Sequence, residues 1–230
     1  MKTLALFILM VLPVAVLAQK DVTTFLGIPV DGTKSSMIQS LKSKGFTYKN
    51  SNCLTGEFNG TNVNIRVVTN NNKVWRIVLT DSNTQNETDI KIRFNKLVSQ
   101  FSKNPKYVTA NFDEASSYIL PDEEEIGYGI NLYHKRYEAA FYQQPDLSLV
   151  DTLEVQNEIK QKIQNKFGKH RIQNPDDEVQ KEVVKESIYY YASIVSKKSV
   201  WFMISKERYD RFYITMFYDN EWNHSDGEDL

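Results

Sequence analysis

Between residues 53 and 80 apolar and polar positions alternate with period 2. Val63, Ile65 and Val67 interleave with Asn62, Asn64 and Arg66, and further on Trp75, Ile77 and Leu79 interleave with Val74, Arg76 and Val78. Successive side chains leave a strand on opposite faces, so this alternation is the mark of half-buried strands. Asn59-Gly60 and the run Asn70, Asn71 and Asn72 supply residues that tolerate the positive φ of tight hairpins. The segment therefore predicts three antiparallel strands.

Elsewhere the period lengthens to that of a helix. Ahead of the strands, 23–32 reads as an opening strand and a turn, followed by a short helix with Thr33 or Ser35 as N-cap, Met37, Ile38 and Leu41 on one face and Gly45 as the stop. After the polar loop 81–87, Asn86 or Thr88 caps a second helix in which Ile90, Phe94, Leu97, Val98 and Phe101 share a face, and Pro105 ends it. A third helix is predicted over 149–167 from the spacing of Val155, Ile159, Ile163 and Phe167, with Gly168 behind it. The stretch 170–177 is the best linker, and Pro175 opens a further helix over 177–191.

Two more strand pairs complete the pattern. One has Tyr128, Ile130 and Leu132 on a face of its first strand and Tyr137, Ala139 and Phe141 on a face of its second; the other pairs 200–205 with 211–218 across a bend at Arg208-Tyr209. Helices and antiparallel strands in this order give an α+β fold, an antiparallel meander with amphipathic helices on one face, because the hairpin joins are too short for parallel crossovers. The reading is a single domain over 19–230, open to division into two lobes at about 19–110 and 111–230. An acidic tail closes the chain.

The first eighteen residues follow a different logic. Lys2 precedes an apolar run over 4–17 that ends in Val16-Leu17-Ala18 before the polar Gln19-Lys20-Asp21. A positive start, an apolar stretch of about 7–15 residues and small residues at the junction make a secretory signal peptide. The run is shorter than the roughly 20 residues that span a bilayer, and Pro13 interrupts it. Cleavage after Ala18 and an exported, periplasmic or extracellular body without membrane insertion are expected.

Composition narrows the chemistry. Lys plus Arg number 28 against 29 Asp plus Glu, a formal net charge of -1, which leaves no basic excess for a nucleic acid backbone. The single Cys, Cys53, excludes an internal disulfide and a multi-cysteine zinc site, and a buried strand position is its expected place. His134, His170 and His224 are too far apart for a zinc helix, and no G-x-S-x-G elbow or phosphate-cradling glycine loop occurs. Gly127 and Gly129 fall in an expected strand, where glycine marks a bulge or close backbone approach. Asp122, Glu123, Glu124 and Glu125 lack the ligand spacing of a calcium loop and read as a solvated turn. No catalytic residue, cofactor or metal is assigned. Asn59-Gly60-Thr61, Asn86-Glu87-Thr88 and Asn223-His224-Ser225 match the glycosylation sequon, and Asp151-Thr152-Leu153 is similar to an O-glycosylation motif of exported Bacteroidetes proteins.

The stretch Phe25-Leu26-Gly27-Ile28-Pro29-Val30-Asp31-Gly32, with the helix carrying Met37 and Leu41 and with Lys44-Gly45-Phe46 behind it, resembles the mature N-terminus of uncharacterised secreted proteins of Bacteroidetes-type bacteria. That resemblance covers about 19–80 and implies an address, not a reaction. A looser, topological likeness is to periplasmic α+β modules of the β-lactamase-inhibitor-like type.

Aromatic residues are the one compositional excess, 13 Tyr, 12 Phe and three Trp. Many fall in the final quarter: Tyr189, Tyr190, Tyr191, Trp201, Tyr209, Tyr213, Tyr218 and Trp222. An outward-facing subset suits a sugar ring or a protein partner, and Tyr189, Tyr191 and Trp222 are the residues singled out for partner binding. The function read from the sequence is a binding or interaction module for a protein or glycan, without a cofactor; the competing reading is a secreted hydrolase with a carboxylate pair.

Overall fold

A computed structural model describes residues 21–109, 115–146, 148, 152–208 and 210–224. The leader, the 18–19 junction, Asp151, Tyr209 and the tail from Ser225 lie outside the described residues. The chain opens with a ribbon, β1 (Thr24–Phe25) and β2 (Ile28–Pro29), and then α1 (Lys34–Ser43). Thr33 caps α1 by accepting from the Ser36 amide, and the chain turns out of it at Gly45, where φ is 96°. A meander follows: β3 (Thr47–Asn50), β4 (Cys53–Phe58), β5 (Thr61–Asn70) and β6 (Lys73–Asp81). Its two tight turns carry positive φ at Asn59 and Gly60 and at Asn71 and Asn72, the pattern whose twist matches paired strands.

Asn86 caps α2 (Glu87–Lys103) by accepting from the Asp89 amide. Beyond it come β7 (Tyr107–Thr109), α3 (Ile126–Tyr133), β8 (Glu138–Gln143), three helices α4 (Thr152–Phe167), α5 (Lys169–Gln173) and α6 (Asp177–Val195), and the closing hairpin β9 (Ser199–Lys206) and β10 (Phe212–Asp219). Eight strands form one antiparallel sheet in the order β3-β4-β5-β6-β10-β9-β8-β7, so the last strand of the chain docks beside the last strand of the meander and both halves share one sheet. The fold is α+β, as the pattern predicts.

One face of that sheet is the core. Ile65, Ile77, Phe202 and Ile214 pack there against Met37 and Leu41 of α1 and the apolar face of α2. Phe94 and Phe101 meet Phe202 at 5.2 and 5.6 Å between ring centroids, favourable tilted contacts for buried rings. Helices α4 to α6 are inserted between neighbouring strands β8 and β9. Ile163 and Val179 are buried apart from the main core, and Lys162–Glu186 and Lys166–Glu182 pairs link α4 to α6 at 3.3 and 2.8 Å.

Several expectations are corrected. Residues Tyr128, Ile130 and Leu132 belong to helix α3, not to a strand. The Glu87 carboxylate of α2 accepts from the Ile126 and Gly127 amides at 2.6 and 3.3 Å, supplying from a distant segment the N-terminal cap that the local sequence lacks. Gly129 does mark close approach, since a Cβ there would collide with the Tyr137 hydroxyl, but the approach is to a helix. In β6, Val74 is buried with Ile77 and Leu79, whereas Trp75 joins Arg76 on the other face. Trp75 is the extra residue of a β-bulge, since Val68 pairs with Arg76 and Thr69 with Val74. The first half of the expected linker 170–177 belongs to α5, which leaves 174–176 as the joint, and Pro175 stands before the Asp176 cap of α6 instead of opening the helix; α6 itself runs on to Val195. Strands β3 and β7 add two that the alternation did not predict.

Candidate functional site

The sheet's second face is built by the residues that alternate with the core. On it, β10 presents Tyr213, Thr215, Phe217 and Asp219, β9 presents Trp201, Met203 and Ser205, and β5 and β6 present Asn64, Arg66, Val78 and Thr80. Trp201 and Phe217 are direct cross-strand partners, and their rings stack at 3.9 Å with 17° between planes. Their neighbour Arg76 lies 4.2 Å from the Trp75 ring centroid and 4.9 Å from that of Phe217.

Asp219 holds this cluster together. Arg76 donates to both of its carboxylate oxygens at 2.6 Å, and the Trp201 indole N–H donates to Oδ2 at 2.9 Å. The Asp219 side chain is 2% exposed and that of Arg76 23%. A bidentate guanidinium pair in a partly dry setting, with aromatic faces beside the cation, fixes the plane of the cluster. This end of the face is a rigid aromatic band.

Its other end is polar. A cleft of about 430 Å³ is lined by Asn64, Arg66, Thr80, Ser82, Tyr213 and Glu207, together with the loop residues Asn83 and Thr84. Asp81 also borders it, but gives its two oxygens to Arg93 at 2.5 and 2.7 Å and accepts from the Ile214 amide at 3.1 Å. The loop wall is fastened, because Arg211 donates to the Thr84 carbonyl at 2.6 Å and the Ser82 amide donates to the Asn62 carbonyl at 2.8 Å. Among the described residues, neither Arg66 nor Glu207 has an ion-pair partner for its side chain.

The residues singled out from sequence are not brought together. Tyr189 is exposed on α6 with the Lys185 ammonium 5.5 Å from its ring centroid, and Tyr191, about 200° further round the same helix, is half-buried. Trp222 sits in the 3-10 turn Glu221–Asn223 after β10, with Lys197 5.6 Å from its ring. Trp75, Arg76, Phe217 and Arg66 were missed. The available signal was the phase of the closing hairpin: Trp201 and Phe217 occupy positions opposite to Phe202 and Met216.

Other sequence candidates have structural settings. Cys53 is buried, and its thiol donates to the Leu54 carbonyl at 3.4 Å. His134 takes the left-handed conformation that closes α3, His170 lies on α5, and His224 packs on Trp75 at 4.6 Å. Within the acidic turn, Glu124 accepts from Lys135 and from the Tyr137 hydroxyl, which hold its carboxyl below the usual range, Tyr137 having the larger effect. Among the described residues, no group of three His, Cys, Asp or Glu is placed to hold a metal ion, and no helix is long and apolar enough to cross a membrane. No family model matches the chain, and no curated protein or solved structure is found to be similar to it.

Proposed function

We propose that the chain is an exported binding module that captures a protein or glycan in the periplasm or outside the cell, and that it does so with the open face of its sheet. The observation that carries this reading is the pairing on one surface of a rigid aromatic band, Trp75, Arg76, Trp201 and Phe217, with a polar cleft. Rings fixed before binding lose little entropy on contact, and polar groups beside them supply orientation. The export half of the proposal rests on the leader and its Val16-Leu17-Ala18 junction. A hydrolase with a carboxylate pair fits this face less well. Two carboxylates border the cleft, Asp81 and Glu207, and the first has both oxygens engaged by Arg93.

The test has two arms. N-terminal sequencing of protein from the native host should begin at Gln19, and an intact Met1 would overturn export. Glycan arrays and capture from envelope extracts should then be run with three proteins: the mature chain, Val78→Lys and Ile188→Asp. Val78 lies between its cross-strand partners Arg66 and Phe217 at the centre of the face, where a lysine stem lies along the sheet and its charge stands over it. Ile188 is exposed on α6. A ligand lost by Val78→Lys and kept by Ile188→Asp supports the reading. The reverse result moves the binding surface to the helical insertion and refutes it.

A further inference from the structure

We infer that the polar cleft at the Tyr213 end of the open face is a saccharide subsite that takes a neutral pyranose ring, stacked on Tyr213 and hydrogen-bonded by Arg66, Asn64, Asn83 and Glu207. This rests on the reading of that face as a binding surface and names its ligand class.

The argument is one of hydrogen-bond complementarity. Arg66 can only donate and Glu207, when ionised, can only accept, while the Thr80 and Tyr213 hydroxyls do both. Asn64 has its carbonyl oxygen occupied by Lys49 at 3.0 Å, which leaves the amide N–H groups as donors. A ligand that satisfies such a mixture must itself donate and accept at several neighbouring points. Adjacent ring hydroxyls do this. A phosphate or carboxylate would be drawn by Arg66, and by Lys49 and Arg211 at the cleft margin, but would leave the Glu207 carboxylate without a donor, and a cation would meet Arg66. An apolar ligand would strand the lining groups, at a cost comparable to that of lost hydrogen bonds.

Topology argues against an extended peptide. Strand addition needs an open edge, yet the cleft floor is β5, β6 and β10, interior strands whose neighbours lie on both sides. Backbone groups there belong to the ladder, so recognition must come from side chains standing on the face. Size agrees with a sugar: about 430 Å³ falls in the range of small-molecule sites. The half-exposed Tyr213 ring shares the face with the polar groups, and a tyrosine combines an apolar ring surface with a polar tip. The ring meets the C–H side of a pyranose while the side chains around it reach the hydroxyls. The loop wall is tied down by Arg211 and by the Asn62 carbonyl.

The probes are methyl α-D-glucopyranoside, methyl α-D-galactopyranoside, methyl α-D-mannopyranoside and methyl N-acetyl-β-D-glucosaminide, followed by saturation-transfer NMR on the mature chain. At least one should receive saturation from aromatic protons, with a Kd of about 1 mM or tighter. Tyr213→Ala and Arg66→Ala should each weaken it about tenfold. Glu207→Gln, an exposed loop change that leaves the sheet untouched, should weaken it measurably, and Trp222→Ala should leave it unchanged. No transfer from any of the four at about 10 mM, ten times that Kd, overturns the assignment. So does affinity unaltered in Tyr213→Ala and Glu207→Gln proteins of native circular dichroism. Should the pyranosides fail while an envelope ligand is still lost by Val78→Lys, the sugar assignment falls and the binding module stands. If Val78→Lys blocks nothing either, both fall.

Discussion

Replacing Asp219 by alanine should be among the most damaging single changes available on the open face. Its carboxylate is almost fully enclosed and accepts two hydrogen bonds from Arg76 and one from Trp201. Once it is gone, a guanidinium that is less than a quarter exposed stands among three aromatic rings without its counter-ion, and the Trp201 N–H loses its acceptor. Breaking one side of a buried ion pair costs about 3–5 kcal/mol. The partial exposure of Arg76 places this case toward the lower end, near 3 kcal/mol. In a chain of this length each kcal/mol moves the midpoint by about 2–4 °C, so the melting temperature should fall by roughly 6–12 °C. The reverse change, Arg76→Met, should cost at least as much, because it leaves the more deeply buried member of the pair alone. Combining Arg76→Met with Asp219→Leu should recover most of the loss, since an apolar pair of similar volume avoids the desolvation of both charges. Thermal melts followed by circular dichroism of Arg76→Met, the single variant Asp219→Leu and their combination close a double-mutant cycle that measures this. A coupling energy below about 0.5 kcal/mol, or an Asp219→Ala midpoint within about 2 °C of the parent, would refute the claim that this pair organises the face.

Two further outcomes follow from the architecture. Ile163→Ala should empty part of the small core shared by α4 and α6, at a cost of about 2–5 kcal/mol, and speed amide exchange over 152–195 while leaving β4 to β6 at parental rates; equal acceleration in the meander would show that the insertion and the sheet unfold as one unit. The pair Glu124–Tyr137 should appear at both ends of the stability profile. Because the carboxyl titrates below the ordinary glutamate value when folded, its contribution is present above that value and lost as pH falls through the folded one; because burial first, and Glu124 second, push the Tyr137 hydroxyl far up, the folded form keeps that proton longer than the unfolded chain does, and stability falls as pH rises past the ordinary tyrosine value. Glu124→Gln should flatten the acid limb and Tyr137→Phe the alkaline one in denaturant titrations across pH, and unchanged limbs would count against the contact.

How far the sequence could be read depends on how local each cause is. Asn86 caps the residue three positions on, Gly45 and Gly60 relieve a strain in their own φ, and Val63, Ile65 and Val67 announce a buried face by spacing alone; each of these is a short-range cause, and each is visible without the fold. Helix α3 is the opposite case. Its glycines and its alternating Tyr128, Ile130 and Leu132 look like a strand, and what makes it a helix is Glu87, 39 and 40 residues earlier, capping its first amides, with Tyr137 filling the space that Gly129 leaves. The candidate site failed to show for a related reason. Tyr189, Tyr191 and Trp222 stand out by aromatic density along the chain, but the open face is assembled across strands, and Arg66, Arg76, Trp201 and Phe217 come from four strands in two hairpins far apart in sequence. Only the β-bulge turns Trp75 outward; in a regular strand, alternation from Ile77 and Arg76 would put Trp75 on the core face and leave Arg76 without the nearest of its aromatic neighbours. Deleting Val74, which removes the bulge and brings Trp75 opposite Thr69, would therefore turn the face's first ring toward the core, and the aromatic band depends on that irregularity more than on any propensity in the strands around it.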